Sequence, residues 1–310
     1  MKAYSITGRD TQPGVNDIPD PAPAPDQVLV EVEAASVNGF DLSVAAGSVW
    51  DILPHEFPVI LGRDFVGTVT AVGDNVQAIT VGDRVAGVIP GVDLGPRTGS
   101  FADHVAVAAT AVARVPAGVG ADEAAVIGLA GVAAHDAINA LDPQAGDTLL
   151  ISGATGGVGS IATQLARATG ATVIGTARPG QEEQYVHGLG AQHTVDYTGD
   201  LAAAVREIAP NGVDKVLHFA GDPATIGQVV RSGGAVASTV GATAERLGRD
   251  DVTLAPIMAT ATGGKLAHLL QHVADGNLRV NIEARIPKDH TQEAFTLFSN
   301  GTLGKILITR

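Results

Sequence analysis

Cysteine is missing from all 310 residues, which rules out disulfides, thiolate-held metals and a cysteine nucleophile. Charge is scarce and lopsided: 17% of residues are charged, and the formal net charge is −14. No basic stretch reverses that field locally, so a nucleic-acid backbone would be repelled. No apolar run approaches the ~20 residues a bilayer span needs, so no membrane association is expected. The opening MKAYSITGRD lacks the apolar core of a signal peptide, which predicts a cytoplasmic protein. Internal repeats and low-complexity tracts are absent as well. What remains is a globular composition, 45% hydrophobic, in a chain with room for two modest domains or one large one.

Glycine, by contrast, is plentiful, and one stretch concentrates it. Asp147 to Arg178 reads DTLLISGATGGVGSIATQLARATGATVIGTAR. Thr148–Ile151 has the length and apolar character of a buried parallel strand. A glycine-dense turn follows, and then Val158, Ile161, Ala162, Leu165 and Ala166 recur on one face of a helix. Gly170 stops that helix, and Thr172–Thr176 predicts a second strand. A pyrophosphate needs backbone N–H donors at close range, and a helix N-terminus supplies unpaired ones with a favourable dipole. Gly156 and Gly159 are therefore expected to keep the backbone bare. Ala154 stands where the usual G-x-G-x-x-G has its first glycine, so the flanking strands and helix carry the assignment. Ala154, Thr155, Gly156, Gly157, Val158 and Gly159 form the expected phosphate-binding turn of a dinucleotide site.

The adenosine ribose is read at the end of the second strand. An NAD site places an acid there, about 20 residues beyond the turn, to accept from the ribose hydroxyl. Here the strand runs into Thr176-Ala177-Arg178-Pro179-Gly180, with a guanidinium and no carboxylate. Arg178 is either a partner for a 2′-phosphate, which makes NADPH the expected cofactor, or a solvated loop arginine.

Upstream, the chain to Val115 is predicted β-rich, with strands at Lys2–Ile6, Gln27–Val37, Val66–Val72, Arg84–Val88, Ala102–Val107 and Val112–Val115. Those short strands suggest a partly open barrel or sandwich. Asp122 to Ala140 reads as an alanine-rich helix pair. After the βαβ unit, predicted helices near Glu182–Leu189, Leu201–Ile208 and Ala224–Arg231 alternate with strands at Thr194–Asp196, Val213–Phe219 and Ala235–Val240. That alternation predicts a doubly wound parallel sheet, an α/β fold. Two more helices and a strand at Lys305–Ile308 close the chain.

An ordered set of short motifs then runs along nearly the whole sequence: Ser36–Asp41, Leu61–Gly67, Val81–Val85, Gly99–Ala102, Gly153–Gly159, Leu189–Ala191, Gly233-Gly234 and Gly304–Ile306. Together they resemble the medium-chain dehydrogenase/reductase superfamily, in its zinc-independent quinone-oxidoreductase (zeta-crystallin-like) branch. The resemblance implies a GroES-like β-barrel domain from residues 1–121 and 262–310, and a Rossmann domain from 122–261. It also implies a cleft where nicotinamide meets substrate, and a homodimer joined through the Rossmann sheet edge, near Ala235–Val240.

Zinc enzymes of that superfamily carry a cysteine at the place of Asn38 and a His-Glu pair after the glycine at Gly62; here stand Asn38 and Arg63-Asp64. No metal is therefore expected. Asn38 is implied either to sit by the nicotinamide ribose or to be a buried amide capping its turn. Asp41 reads as structural. Tyr197 lines the adenosine phosphate or is a plain surface tyrosine, and Phe219, Thr239 and Val240 complete the expected cofactor-binding set. Trp50 is read as a pocket wall against a planar acceptor or as simple packing; with Asn38 it makes up the candidate catalytic set. Ser43 and Ala133 depart from family tyrosine and threonine positions, which puts the substrate pocket in doubt.

Hydride delivery to a quinone or to the β-carbon of an enone needs proximity and a polarised carbonyl. Plain ketone reduction calls for a Lewis acid or a placed proton donor. Tyr4, Tyr185 and Tyr197 are the only tyrosines, and none maps to the reacting end. A small-molecule quinone or enone is thus the expected substrate. An enoyl or carbonyl reductase of a biosynthetic pathway is the alternative enzyme, and a non-catalytic nucleotide-binding regulator or structural protein the alternative of another class. His268 and His272, four apart, have metal-chelating spacing but no accompanying glutamate, and His55 stands in a loop ahead of Gly62.

Overall fold

The computed structural model describes residues 1–91 and 94–310. Contacts divide it into two units, Met1–Val132 with Ala261–Arg310, and Ala133–Thr260.

The first unit is built on β1 (Lys2–Ile6), β2 (Gly14–Asp17), β3 (Gln27–Ser36), α1 (Gly39–Ala45), β4 (Val59–Ile60), β5 (Asp64–Val72), β6 (Arg84–Val88), β7 (His104–Ala108) and β8 (Val112–Arg114). Along β3, inward Val28, Val30 and Val32 alternate with half-buried residues, as a strand with one face on a core requires. Phe65, Val85 and Val105 meet them there.

A long helix, α2 (Ala121–Leu141), leads into the second unit. It is one continuous helix, not the predicted pair. Its internal glycines are contact points: a Cβ on Gly128 would fall 2.6 Å from the Cβ of Asp64, and one on Gly131 would fall 3.1 Å from Leu269 Cδ1. By length and composition α2 alone among the described helices qualifies as a membrane span, but 67% of its apolar window is buried inside the protein.

The second unit comprises β9 (Thr148–Ser152), α3 (Gly157–Ala168), β10 (Thr172–Thr176), α4 (Gln181–Leu189), β11 (His193–Val195), α5 (Leu201–Ile208), β12 (Val213–His218), α6 (Pro223–Val229), β13 (Val230–Ser238), α7 (Ala244–Leu247) and β14 (Thr253–Pro256). Its strands form a six-stranded sheet in the order β11-β10-β9-β12-β13-β14, every pairing parallel. Leu149, Leu150, Ile151, Val173, Ile174, Val216 and Leu217 are fully buried, which is why these strands read as unbroken apolar runs. The chain winds outward from β9 to β11, then crosses to β12 on the other side. Ligands of such sheets bind beyond the carboxyl ends at that reversal, between β9 and β12.

The chain then returns to the first unit with α8 (Gly263–Ala274), β15 (Ile282–Pro287), α9 (Thr291–Ser299) and β16 (Lys305–Thr309). β16 pairs antiparallel with β3, and β15 joins it in parallel, completing a seven-stranded sheet. A second, three-stranded sheet has the order β2-β1-β4.

One strand expectation changes, and four strands are new. Ala235–Val240 is no sheet edge: β13 lies between β12 and β14, and the edge on that side is β14. Short and proline-ended, β14 gives little periodicity to read, and β2 and β4 are brief too, whereas β15 alternates Ile282, Ala284 and Ile286 with Glu283, Arg285 and Pro287, a strand signal that sequence reasoning missed.

Candidate cofactor site and a buried polar cluster

The glycine-dense turn sits where β9 meets α3. Gly156 caps the helix with extended backbone, φ −74° and ψ 176°, and contributes no side chain. The first helical bond runs from Ser160 N–H to Gly156 O at 2.9 Å, so the N–H groups of Gly157, Val158 and Gly159 precede it. Three donors and the positive end of the helix dipole therefore face outward together.

The glycines of the turn divide their labour differently from expectation. At Gly156 a Cβ would meet nothing nearer than 3.6 Å, so its bareness leaves space. At Gly159 a Cβ would fall 2.1 Å from Gly153 O, so this glycine lets the helix pack on its own turn. Ala154 is fully buried, and an added Cβ on Gly175 would come 3.1 Å from its methyl. The alanine fits because the neighbouring strand lacks a side chain opposite it. Thr155 and Val158 are half-buried on the same turn. The Gly153 N–H donates to the Thr176 hydroxyl at 2.9 Å, tying the turn to the end of β10.

Beyond β10, Arg178 does not stand alone. Its backbone N–H and its Nε–H each donate to the carboxylate of Glu182 at 2.7 Å, and Nη2 pairs with the same carboxylate. The Tyr197 hydroxyl donates to that carboxylate too, at 3.4 Å. Hydrogen bonding to Glu182, then its charge, raises the arginine further above its ordinary value. Burial first, then the negative charge of Glu182, raises the Tyr197 phenol, which keeps it a neutral donor. The strand end thus does hold an acid, supplied by the first turn of α4. An arginine and a glutamate four residues apart are the signal, and it lies beyond the strand where an acid is customarily sought.

The other expected residues lie at the carboxyl ends of β12 and β13. Phe219 N–H donates to Ser152 O at 3.1 Å, and Thr239 N–H to His218 O at 3.2 Å. Val240 N–H donates to the Ser238 hydroxyl oxygen at 3.2 Å, as does Ala242 N–H at 3.3 Å. His218 is fully buried; its Nε2 faces Gly221 O at 3.2 Å and its Nδ1 faces the Ser238 hydroxyl at 3.1 Å. A carbonyl accepts only, so Nε2 carries the proton and Ser238 donates to Nδ1. Burial lowers the pKa of this ring, in keeping with a neutral brace for the loop after β13. Neither His218 nor Ser238 is flagged by any motif.

In the first unit, Asn38 belongs to a buried cluster. Its Nδ2 donates to Ser36 O at 3.1 Å and to Asp64 Oδ1 at 3.2 Å. The buried Lys305 ammonium donates to Asn38 Oδ1 and to Val37 O, both at 2.7 Å. Asp64 also accepts from Ser36 N–H and from Leu129 N–H at 3.1 Å each. Asp41 accepts from Asn38 N–H at 2.8 Å and Gly62 N–H at 3.1 Å; burial pushes its carboxyl up to about 7. Burial lowers the Lys305 pKa, opposed by Asp64 and Asp41. Asn38 is thus an amide already engaged at both ends.

Trp50 packs among core residues. It is 7% exposed, in edge contact with Phe57 at 5.4 Å and tilted against His55 at 5.2 Å, inside the core. A Cβ on Gly47 would strike its indole nitrogen at 2.8 Å, so the ring is packing. His268 and His272 meet each other, Nε2 to Nε2 at 3.2 Å. Among the described residues no group of three or more His, Cys, Asp or Glu is placed to hold a metal.

Comparison with known proteins matches two stretches of the chain. Residues 24–117 match the alcohol dehydrogenase GroES-like domain, and 157–269 match the zinc-binding dehydrogenase family. An alcohol dehydrogenase superfamily protein from Novosphingobium aromaticivorans is 30% identical, with a TM-score of 0.85, covering 100% of this chain and 99% of that one. The quinone oxidoreductase of Coxiella burnetii is 25% identical, with a TM-score of 0.88 over 100% and 99%. A mycobacterial protein solved in complex with NADPH is 27% identical, with a TM-score of 0.87 over 100% of both chains. A phenolphthiocerol/phthiocerol polyketide synthase of Mycobacterium tuberculosis is 31% identical over 97% of this chain, which spans only 14% of that protein's length. The fold is accordingly a GroES-like domain joined to a Rossmann-type parallel-sheet domain.

Proposed function

The chain belongs to the medium-chain dehydrogenase/reductase superfamily, and within it we propose an NADPH-dependent, zinc-independent reductase of quinones or α,β-unsaturated carbonyls. The observation that carries this reading is the common edge of one parallel sheet. There the bare N-terminus of α3, Arg178 and Tyr197 stand beyond the carboxyl ends of the adjacent strands β9, β10 and β11.

The residues present fit such a cofactor. Gly156 leaves open space in front of unpaired N–H donors, as a pyrophosphate requires. The N–H groups of Gly157, Val158 and Gly159 would hold the phosphates, with Arg178 and Tyr197 at the ribose end. Phe219, Thr239 and Val240 would border the cofactor at the switch point. When bound, NADPH supplies the hydride. Support also comes from the neighbours, one a quinone oxidoreductase and another solved with NADPH.

A catalytic zinc does not suit the donors at its expected place. Asn38 Oδ1 is held at 2.7 Å by the Lys305 ammonium, and Arg63 adds a second buried cation next to Asp64 in sequence. An amide is a weak zinc donor, and this one is already engaged by an ammonium. No step therefore passes through a metal. Without a Lewis acid, an acceptor whose product anion is stabilised by conjugation is the better substrate. A second enzymatic reading, reduction of an enoyl intermediate in a biosynthetic sequence, is favoured by the match to a polyketide synthase. Dimerisation, if it uses the sheet edge, would go through β14.

The test is NADPH oxidation with matched pairs of acceptors, an enone and its saturated ketone, in chelator and in added zinc. We expect the enone to be reduced far faster, without any response to metal. Equal turnover of the pair, or activity lost to chelator and restored by zinc, would overturn the proposal.

A further inference from the structure

At the end of β10, three donors converge on one carboxylate. The Arg178 backbone N–H and Nε–H reach Glu182 at 2.7 Å each, and the Tyr197 hydroxyl reaches it at 3.4 Å. A guanidinium, a backbone amide and a phenol are also what a 2′-phosphate would require at this strand end. Glu182 thus stands where such an anion would compete. We infer that Glu182 is a specificity-determining residue that competes with the cofactor's 2′-phosphate for Arg178 and Tyr197, so that Glu182 and Arg178 together set the discrimination between NADPH and NADH.

Exposure says which partner yields. The Arg178 side chain is 57% exposed and that of Glu182 only 11%. The carboxylate is also pinned by the backbone N–H of Arg178, and it belongs to the first turn of α4, where the helix dipole favours an anion. The guanidinium is the more exposed member: it has five N–H donors, and Nη1 takes no part in these contacts. A phosphate carrying about −1.5 to −2 charges must share the guanidinium with a carboxylate that stays. A bare ribose brings no charge to be repelled, and its hydroxyls can donate to a carboxylate. Removing the charge of Glu182 therefore helps one cofactor and not the other.

This assignment rests on the NADPH reading above, and binding measurements separate the two. Isothermal titration of wild type, Glu182→Gln, Arg178→Ala and the double variant would use adenosine 2′,5′-bisphosphate, adenosine 5′-monophosphate, NADPH and NADH. Glu182→Gln keeps an acceptor for the Arg178 N–H while removing the charge, and Glu182→Ala is the second variant should glutamine perturb the loop. The phosphate-bearing ligands are expected to bind about tenfold more tightly to Glu182→Gln, equivalent to about 1.4 kcal/mol. The ligands without a 2′-phosphate should stay within about twofold or weaken. In the Arg178→Ala background the gain should vanish, because no guanidinium remains to be released. Equal shifts for both ligand classes, or no shift with either variant, would overturn the role of Glu182 while leaving the dinucleotide site standing. Failure of all four ligands to bind wild type would remove the site itself, and this inference with it.

Discussion

Two charged clusters, one in each unit, are built from the same chemistry and differ in exposure to water. Arg178 and Tyr197 reach into solvent, the guanidinium more than half exposed, and meet a Glu182 carboxylate that is largely covered. Lys305, Asn38, Asp64 and Asp41 are all buried. In the first, water can take over the contacts that the exposed guanidinium and phenol give up, so these donors can be exchanged to a ligand at small cost. In the second, a group that loses its partner has no water to turn to, so the arrangement is fixed by the fold. Exposure, more than residue type, separates a cluster that can bind from one that holds a chain segment in place.

The sharpest way to break that contrast is Lys305→Met. The substitution leaves Asn38 Oδ1 and Val37 O without their donor and removes the cation facing Asp64 and Asp41. Breaking a buried charge arrangement by removing one partner costs about 3–5 kcal/mol. Chemical denaturation should show a loss of that order. A loss comparable with that of an exposed pair, under ~1 kcal/mol, would mean that the buried cluster is no more locked than the surface one.

Asp41 adds a pH dependence that the surface cluster should lack. Its carboxyl rises from 3.8 to about 7 on folding, through burial and the charge of Asp64, against the hydrogen bond from Asn38 N–H and the charges of Lys305 and Arg63. A raised carboxyl favours the protonated folded form. Its stabilising contribution is whole below pH 3.8 and is lost as pH climbs through about 7. At about 1.4 kcal/mol per unit of separation, the effect reaches at most ~4–5 kcal/mol. Stability measured across that window should fall in wild type relative to Asp41→Asn, which cannot ionise. Parallel pH profiles for the two proteins would show that Asp41 titrates as it does in the unfolded chain.

The same contrast governs what is legible in the sequence. The βαβ core can be read because fully buried parallel strands are written as apolar runs, and a bare phosphate turn as glycines. Resemblance singles out Asn38 but not its hold by Lys305, since the two are far apart in sequence and meet only when β16 pairs beside β3. Trp50 reads equally as wall or packing, and its neighbours Gly47, His55 and Phe57 come into view only in the fold. Glu182 escapes notice although it is local, because the acid is customarily sought on the strand and not on the following helix. The helix pair expected at Asp122–Ala140 fails for a related reason. Gly128 and Gly131 look like breakers in one dimension and serve as close contacts in three.

The smallest expected effect falls on the exposed cluster, and it is a binding effect. Arg178→Ala removes a guanidinium that a 2′-phosphate would use, a charge-assisted contact worth roughly 1.5–3 kcal/mol if the arginine were otherwise unpaired. It is paired with Glu182, so part of that energy is already present in the ligand-free protein. The loss for NADPH should therefore sit near the lower bound, about tenfold in affinity, or about 1.4 kcal/mol. NADH should hardly change, having no phosphate to meet the arginine. Stability should move by less than ~1 kcal/mol, since an exposed i,i+4 pair contributes only a few tenths. Fluorescence titration with each cofactor, beside a thermal melt, reads both quantities on one preparation. A tenfold loss for both cofactors would make Arg178 a structural residue. A melting temperature lowered as far as in Lys305→Met would dissolve the distinction between the two clusters altogether.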